Sequence, residues 1–159
     1  MPAAQYAASR HAVWLGAAAI ITDEVGRVLL VHPTYREDDS WLLPGGVVES
    51  GEHPHVTCWR EITEELGLDL PLSAVVAVHS FSAHHPALQP GTIYPGEVRF
   101  VFDGGRLSAD QLGRIRLDPA EHDMWAVHDL ATWQELMAPR AFARLDAIER
   151  ARQGAAPPT

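Results

Sequence analysis

The chain has 159 residues and a formal net charge of −9, with hydrophobic residues at 47% and charged residues at 21%. That size and balance fit one compact domain with a proper core and exclude a disordered chain. An acidic chain whose 12 basic residues are all Arg, with no basic run, is a poor partner for nucleic acid or for an anionic membrane surface.

In chain order, Arg10 and His11 precede an apolar run, Ala12 to Ile21, that superficially looks like a signal-peptide core. It leads straight into Thr22-Asp23-Glu24 with no small-residue cleavage site, and it is too short to span a bilayer. A buried strand and a cytoplasmic address are the expectations. Ala12 to Thr22 and Arg27 to His32 read as a hairpin around Asp23-Glu24-Val25-Gly26. Pro33 to Ser40 is polar and reads as a loop, and Trp41-Leu42-Leu43 as a short strand stopped by Pro44-Gly45-Gly46. A helix is predicted from about His53 to Leu66, with Pro54 in its first turn and Gly67 just past its end.

Leu72 to Ser82 is predicted as a strand and Ala83 to Gly91 as a loop. Thr92 to Phe102 reads as a strand broken at Pro95-Gly96, followed by a turn at Asp103-Gly104-Gly105. A helical turn is expected at Ser108 to Leu112, a short strand at Met124 to His128, and helices at Leu130 to Met137 and Pro139 to Arg152. No repeat or linker is visible, so residues 1–153 are predicted as a single domain of α/β class, with 154–159 as a tail. Cys58 is the only cysteine, which excludes an intramolecular disulfide and suits a packing role.

Residues Gly46 to Leu68 carry the chemistry. Gly46 is followed after five residues by Glu52, and after seven more by Arg60-Glu61-Ile62-Thr63-Glu64-Glu65-Leu66-Gly67-Leu68. At about 100° per residue, Glu61, Glu64 and Glu65 fall within an arc of roughly 100°. Val56, Trp59, Ile62 and Leu66 fall on the other side and are predicted to face the core. Crowding three carboxylates on one helix face is mildly destabilising. A hard divalent cation, which prefers carboxylate and phosphate oxygens, would relieve it.

This spacing resembles the Nudix box at every specified position. Seven fixed letters of frequency about one in fifteen would recur by chance on the order of once in a million such chains. The resemblance implies a Nudix-type α/β/α sandwich with a mixed central sheet. It also implies Mg²⁺-dependent hydrolysis of a phosphoanhydride in a nucleoside diphosphate linked to another moiety, such as a (deoxy)nucleoside triphosphate or a nucleotide sugar, with Mn²⁺ as a substitute ion. By the same resemblance Glu61, Glu64 and Glu65 bind metal with the help of a carbonyl at Gly45 or Gly46, Glu64 leads as base or bridging ligand, and Glu52 and Arg60 are orienting residues. A non-catalytic nucleotide-sensing module is the alternative, and such modules are expected to lose one of the box acids. An RNA-decapping member is disfavoured by the charge.

Outside the box, family members often add one further acid. Glu121 is ranked first and Glu97 second. Arg36 and Arg99 are candidates to grip phosphates, and Trp41, Phe81 and Tyr94 to stack on a base. His84 and His85 read as loop polar groups near the pocket rather than as a metal pair. The expected partner is a small-molecule nucleotide, and the sequence leaves a homodimer open.

Overall fold

The computed structural model describes residues 1–36, 38, 40–82 and 95–155. A central mixed sheet carries strands β1 (Trp14–Asp23), β2 (Val28–Pro33), β3 (Gly45–Val47), β4 (Val75–Phe81), β5 (Glu97–Leu107) and β6 (His122–His128). The order is β4-β5-β1-β2-β6, with β3 against β1; β1 and β5 run parallel and the other pairs antiparallel. Helix α2 (Pro54–Leu66) covers one face, and α4 (Leu130–Leu136) and α5 (Pro139–Ala155) cover the other. Helices α1 (Ala3–Ala8) and α3 (Ala109–Gly113) are short.

The uninterrupted apolar run at the start of the sequence is a strand sandwiched on both sides, which is why it shows no alternation. Ala17, Ala19 and Ile21 of β1 pack with Leu29 and Val31 of β2 under Cys58, Ile62 and Leu66 of α2. On the opposite face, Ile20, Val28, Leu30 and Val101 meet Trp133, Leu145 and Ile148. Each large aliphatic side chain taken fully out of water contributes about 1.5–3 kcal/mol.

The hairpin forms as predicted. Asp23 Oδ1 accepts from the amides of Val25 and Arg27, and Gly26 adopts φ 88° in the turn. Beyond it, β1 and β2 share only the register pair Thr22↔Val28 and then part. The segment after the first loop crosses the opening: Leu42 bridges to Val31 of β2, and Gly45–Val47 pairs with Gly16–Ala18 of β1. The strand predicted at Trp41-Leu42-Leu43 is thus a single bridge, and the glycines expected to stop it form β3. Two glycines suit that place because a side chain at either would collide with β1 or α2.

Other boundaries move as well, and β4 spans Val75–Phe81 where Leu72 to Ser82 was expected. Asp103-Gly104-Gly105 is not a turn. Strand β5 continues through it as a bulge between Ile20 and Thr22 of β1, with Gly105 at φ 79° and Asp103 Oδ1 accepting from its amide at 2.8 Å. Strand β6 begins at His122, two residues earlier than predicted. Helix α5 continues through Gly154 and Ala155, two residues into the predicted tail. The predicted loop at Ala83 to Gly91, with His84 and His85, and Tyr94 of the predicted strand lie outside the described residues. No described helix is long and apolar enough to cross a membrane.

Candidate active site

Helix α2 starts with Pro54 after an extended His53 and ends on Gly67, which takes a left-handed φ of 68° and donates to Thr63 O. Its buried residues are Thr57, Cys58, Ile62, Glu65 and Leu66, whereas Val56 and Trp59 are exposed. This corrects the predicted stripe. The buried arc runs over about 180°, from Thr57 to Leu66, and includes Glu61 and Glu65. Two of the three acids therefore sit beside the core instead of across the helix from it. Trp59 lies at the rim, its indole N–H donating to Asp69 Oδ1 at 2.7 Å.

Glu65 is 4% exposed, and its Oε2 accepts from the Gly45 amide at 2.9 Å. Burial pushes its carboxyl up to about 8; the Gly45 N–H opposes this, and the charges of Glu61, Glu121 and Glu64 add to it. Glu61 is also raised by burial, against the pull of Arg60. Its carboxylate lies against Gly46, where a Cβ would collide with it. Glu64 is the exposed member, with 59% of its side chain accessible.

Arg60 holds these acids in place. Its Nε and Nη2 donate to Glu52 Oε1 and Oε2 at 2.9 and 3.0 Å, and its Nη1 donates to Glu61 Oε1 at 2.9 Å and Glu64 Oε2 at 3.2 Å. Thr57 Oγ1 donates to Glu52 Oε2 at 2.6 Å. The Arg60 guanidinium, then the Thr57 hydroxyl, hold the Glu52 carboxyl down at about 2. Arg60 and Glu64 pair one turn apart, and Glu52 takes the stronger, forked share of the guanidinium.

Glu121 and Glu97 part company. One ligand atom each from Glu65, Glu121 and His122 lie within 4.8 Å of one another. Glu97 is buried on the α5 side of the sheet and bound through both oxygens to Arg99 at 2.9 and 3.1 Å. Gly16 leaves room for that carboxylate, since a Cβ there would collide with it.

His122 is the residue that sequence reasoning missed. It is 2% exposed, with Nε2 3.8 Å from Glu65 Oε1 and Nδ1 buried without a hydrogen-bond partner. Burial lowers its pKa against the pull of Glu121, Asp118 and Asp123, which favours the neutral ring. The signal was its adjacency to Glu121, hidden because the strand was expected to begin two residues later.

The donor set fits a divalent cation. Buried Glu65 meets exposed Glu121 and the imidazole of His122, with half-buried Glu61 coupled to them by charge, and a buried carboxylate among like charges is stable only when protonated or paired with a cation. Gly46 stands opposite Ala17 in β3, adjoining Glu61.

On the other side of β3 and β1 lies a cavity of about 390 Å³, lined among others by Tyr35, Arg36, Trp41, Phe81, Arg99 and Arg144. Arg36, Arg99, Trp41 and Phe81, singled out from sequence, thus share one cavity, although Arg99 is paired with Glu97. Trp41 packs on Trp133 with ring centroids 5.2 Å apart and planes inclined by 56°, and Tyr35 meets His122 edge-on at 6.4 Å between centroids, joining the cavity to the acid cluster.

A model of the Nudix domain matches residues 13–150, and the chain belongs to that family. A putative 8-oxo-dGTP diphosphatase of Bacillus subtilis (strain 168) is 42% identical over 65 residues, 40% of this chain and 42% of that protein. Nucleoside diphosphate-linked moiety X motif 6 of Xenopus laevis is 27% identical over 78 residues, 49% of this chain and 36% of that protein. The chain thus spans well under half the length of these curated relatives. The crystal structure of a MutT protein from Methanosarcina mazei Go1 superposes with a TM-score of 0.67 at 24% identity, covering 91% of this chain and 96% of that one, and establishes the likeness of fold.

Proposed function

We propose that this chain is a divalent-metal-dependent pyrophosphohydrolase. It cleaves a phosphoanhydride in a small nucleoside diphosphate derivative, such as a (deoxy)nucleoside triphosphate or nucleotide sugar, with Mg²⁺ as the working ion and Mn²⁺ as a substitute. The observation that carries this reading is the burial of Glu65 against Gly45, within reach of Glu121 and His122, with Glu61 half-buried against Gly46 beside it. Family membership and the complete box support it.

Glu61, Glu65 and Glu121 hold the ion, with His122 as a neutral neighbour. When bound, the ion offsets phosphate charge and makes a water more acidic. Glu64 faces solvent beside them and accepts the proton of the attacking water. Arg60, anchored by Glu52, keeps Glu61 and Glu64 in register for that transfer. Gly46 brings backbone close to Glu61 where any side chain would intrude. The aromatic cavity beyond β3 holds the nucleoside or the linked moiety, with Trp41 as a stacking surface and Arg36 near its mouth.

The test is turnover of a nucleotide panel with Mg²⁺ or Mn²⁺, read as released phosphate or pyrophosphate. Glu61→Gln and Glu64→Gln are measured alongside, with circular dichroism to check folding. A loss of about 100-fold or more in both folded variants is expected. No turnover of any panel member by the unmodified protein would reject the enzyme in favour of a nucleotide-sensing module.

A further inference from the structure

The cavity has one wall that the hydrolytic site does not use. Arg144 of α5 and Arg99 of β5 flank the Phe81 ring, their Cζ atoms 4.9 and 5.1 Å from its centroid. Arg36 lines the same cavity. Of the twelve arginines, all among the described residues, six have a carboxylate within ion-pair distance; Arg144 and Arg36 are among the six without one, and of those six they are the two that line this cavity. A chain of net charge −9 has acids to spare, yet among the described residues this wall presents three guanidiniums and one acid, Glu97, already bound by Arg99. A second group points the same way: His79 of β4 lines the cavity, and its Nε2 is buried with no hydrogen-bond partner. A half-buried, unpaired guanidinium at Arg144 beside an orphaned imidazole nitrogen is costly unless an anion joins them, and the exposed Arg36 adds like charge at the rim. Burial and then the charges of Arg99, Arg36 and Arg140 press the Arg144 guanidinium below its ordinary pKa, the direction expected of a cation lacking its counterion.

We infer that Arg144, with Arg36 and His79, forms a subsite for a second anionic group of the substrate, a carboxylate or a phosphate lying outside the scissile diphosphate. The far side of this wall, where Arg144 packs on Phe81 of β4, stands apart from the scissile diphosphate. Phe81 and His79 are on β4, whereas Glu61 adjoins β3, and β5 and β1 lie between. Three strand spacings put β4 about 14 Å from β3, and α2 and the cavity lie on opposite faces of the sheet. That span matches a nucleoside or sugar carrying charge at its far end. The inference rests on the hydrolase reading and narrows its substrate class.

The test compares matched pairs that differ by one distal anion. UDP-glucose against UDP-glucuronate places a carboxylate on the linked moiety, and dephospho-coenzyme A against coenzyme A places a phosphate on the nucleoside. For at least one pair the anionic member is expected to be favoured by about tenfold in kcat/KM, through KM. Arg144→Gln is expected to weaken that member about tenfold more than its neutral counterpart, and Arg144→Lys to restore part of the preference. Turnover of both members of each pair without preference, or an equal loss for both in Arg144→Gln, would overturn the subsite. If nothing is turned over, the hydrolase reading fails separately. Calorimetric binding of the same pairs then decides the subsite: a preference for the anionic member that Arg144→Gln removes upholds it, and equal affinities or equal losses reject it.

Discussion

The amide of Gly45 donates to Oε2 of Glu65 at 2.9 Å, tying strand β3 to helix α2 where β1 and β2 part. The bond orients a carboxylate that is otherwise sealed from water and pushed up to about 8 by burial. The unfolded chain releases this proton near the ordinary 4.5, while the metal-free native state keeps it to about 8. Glu65 therefore favours the native state less and less as pH rises from about 5 to 8. Thermal melts in EDTA should show the wild type losing stability over that window relative to Glu65→Gln, a difference that cancels the opposing contributions of His79 and His122. Identical pH profiles for the two proteins would count against a buried, protonated Glu65.

Metal binding should reverse the effect. At pH 7 the native metal-free site holds the Glu65 proton, and loading Mg²⁺ or Mn²⁺ should expel about one proton per ion. Calorimetric titrations in two buffers of different ionisation enthalpy measure that number. Uptake of protons, or no exchange, would mean that Glu65 is not displaced from its protonated form by the ion.

Arg60 reaches Glu52, Glu61 and Glu64 from one guanidinium, which a lysine cannot imitate. Arg60→Lys should lower kcat by about 10–100-fold with the fold retained, the usual size of losing an orienting contact around a metal site. Steady-state kinetics and circular dichroism check it; kcat within twofold of wild type would reduce Arg60 to a surface residue.

The box was legible because its chemistry demands particular residues at helical intervals, so Glu61, Glu64 and Glu65 could be grouped from spacing, while Arg60 and Glu52 came from the resemblance to the Nudix box. The rotation of α2 was not. Hydrophobicity put Val56 and Trp59 inward, whereas β3 closes over the flank that bears Glu61 and Glu65, and only tertiary contact reveals that. The sheet opening was missed for a related reason. Gly45 and Gly46 read as strand breakers by propensity, yet the narrow gap between β1 and α2 admits only residues without side chains. His122 needed a strand boundary two residues earlier, and Arg144 needed the fold to bring α5 over Phe81.

Cys58 is fully buried under the sheet, and burial lifts its thiol to about 12. At pH 8 the native protein should be inert to an aromatic disulfide reagent and should titrate one thiol after guanidinium denaturation. Rapid labelling of the native state would place Cys58 outside the α2 packing.

Trp133 links core stability to the cavity. Its indole N–H donates to the carbonyl of Val28 at 2.9 Å, the first residue of β2, and its ring supports Trp41 at 5.2 Å. Trp133→Phe keeps an aromatic ring but leaves that buried carbonyl unpaired and a space where the indole stood. The expected cost is about 1–3 kcal/mol in urea unfolding, with an unchanged denaturant slope. Because Trp41 lines the cavity and leans on the missing indole, KM should rise while kcat holds, since the acid cluster lies on the other face of the sheet. A fall in kcat at constant KM would instead mean that the packing on the α5 side governs the carboxylates directly.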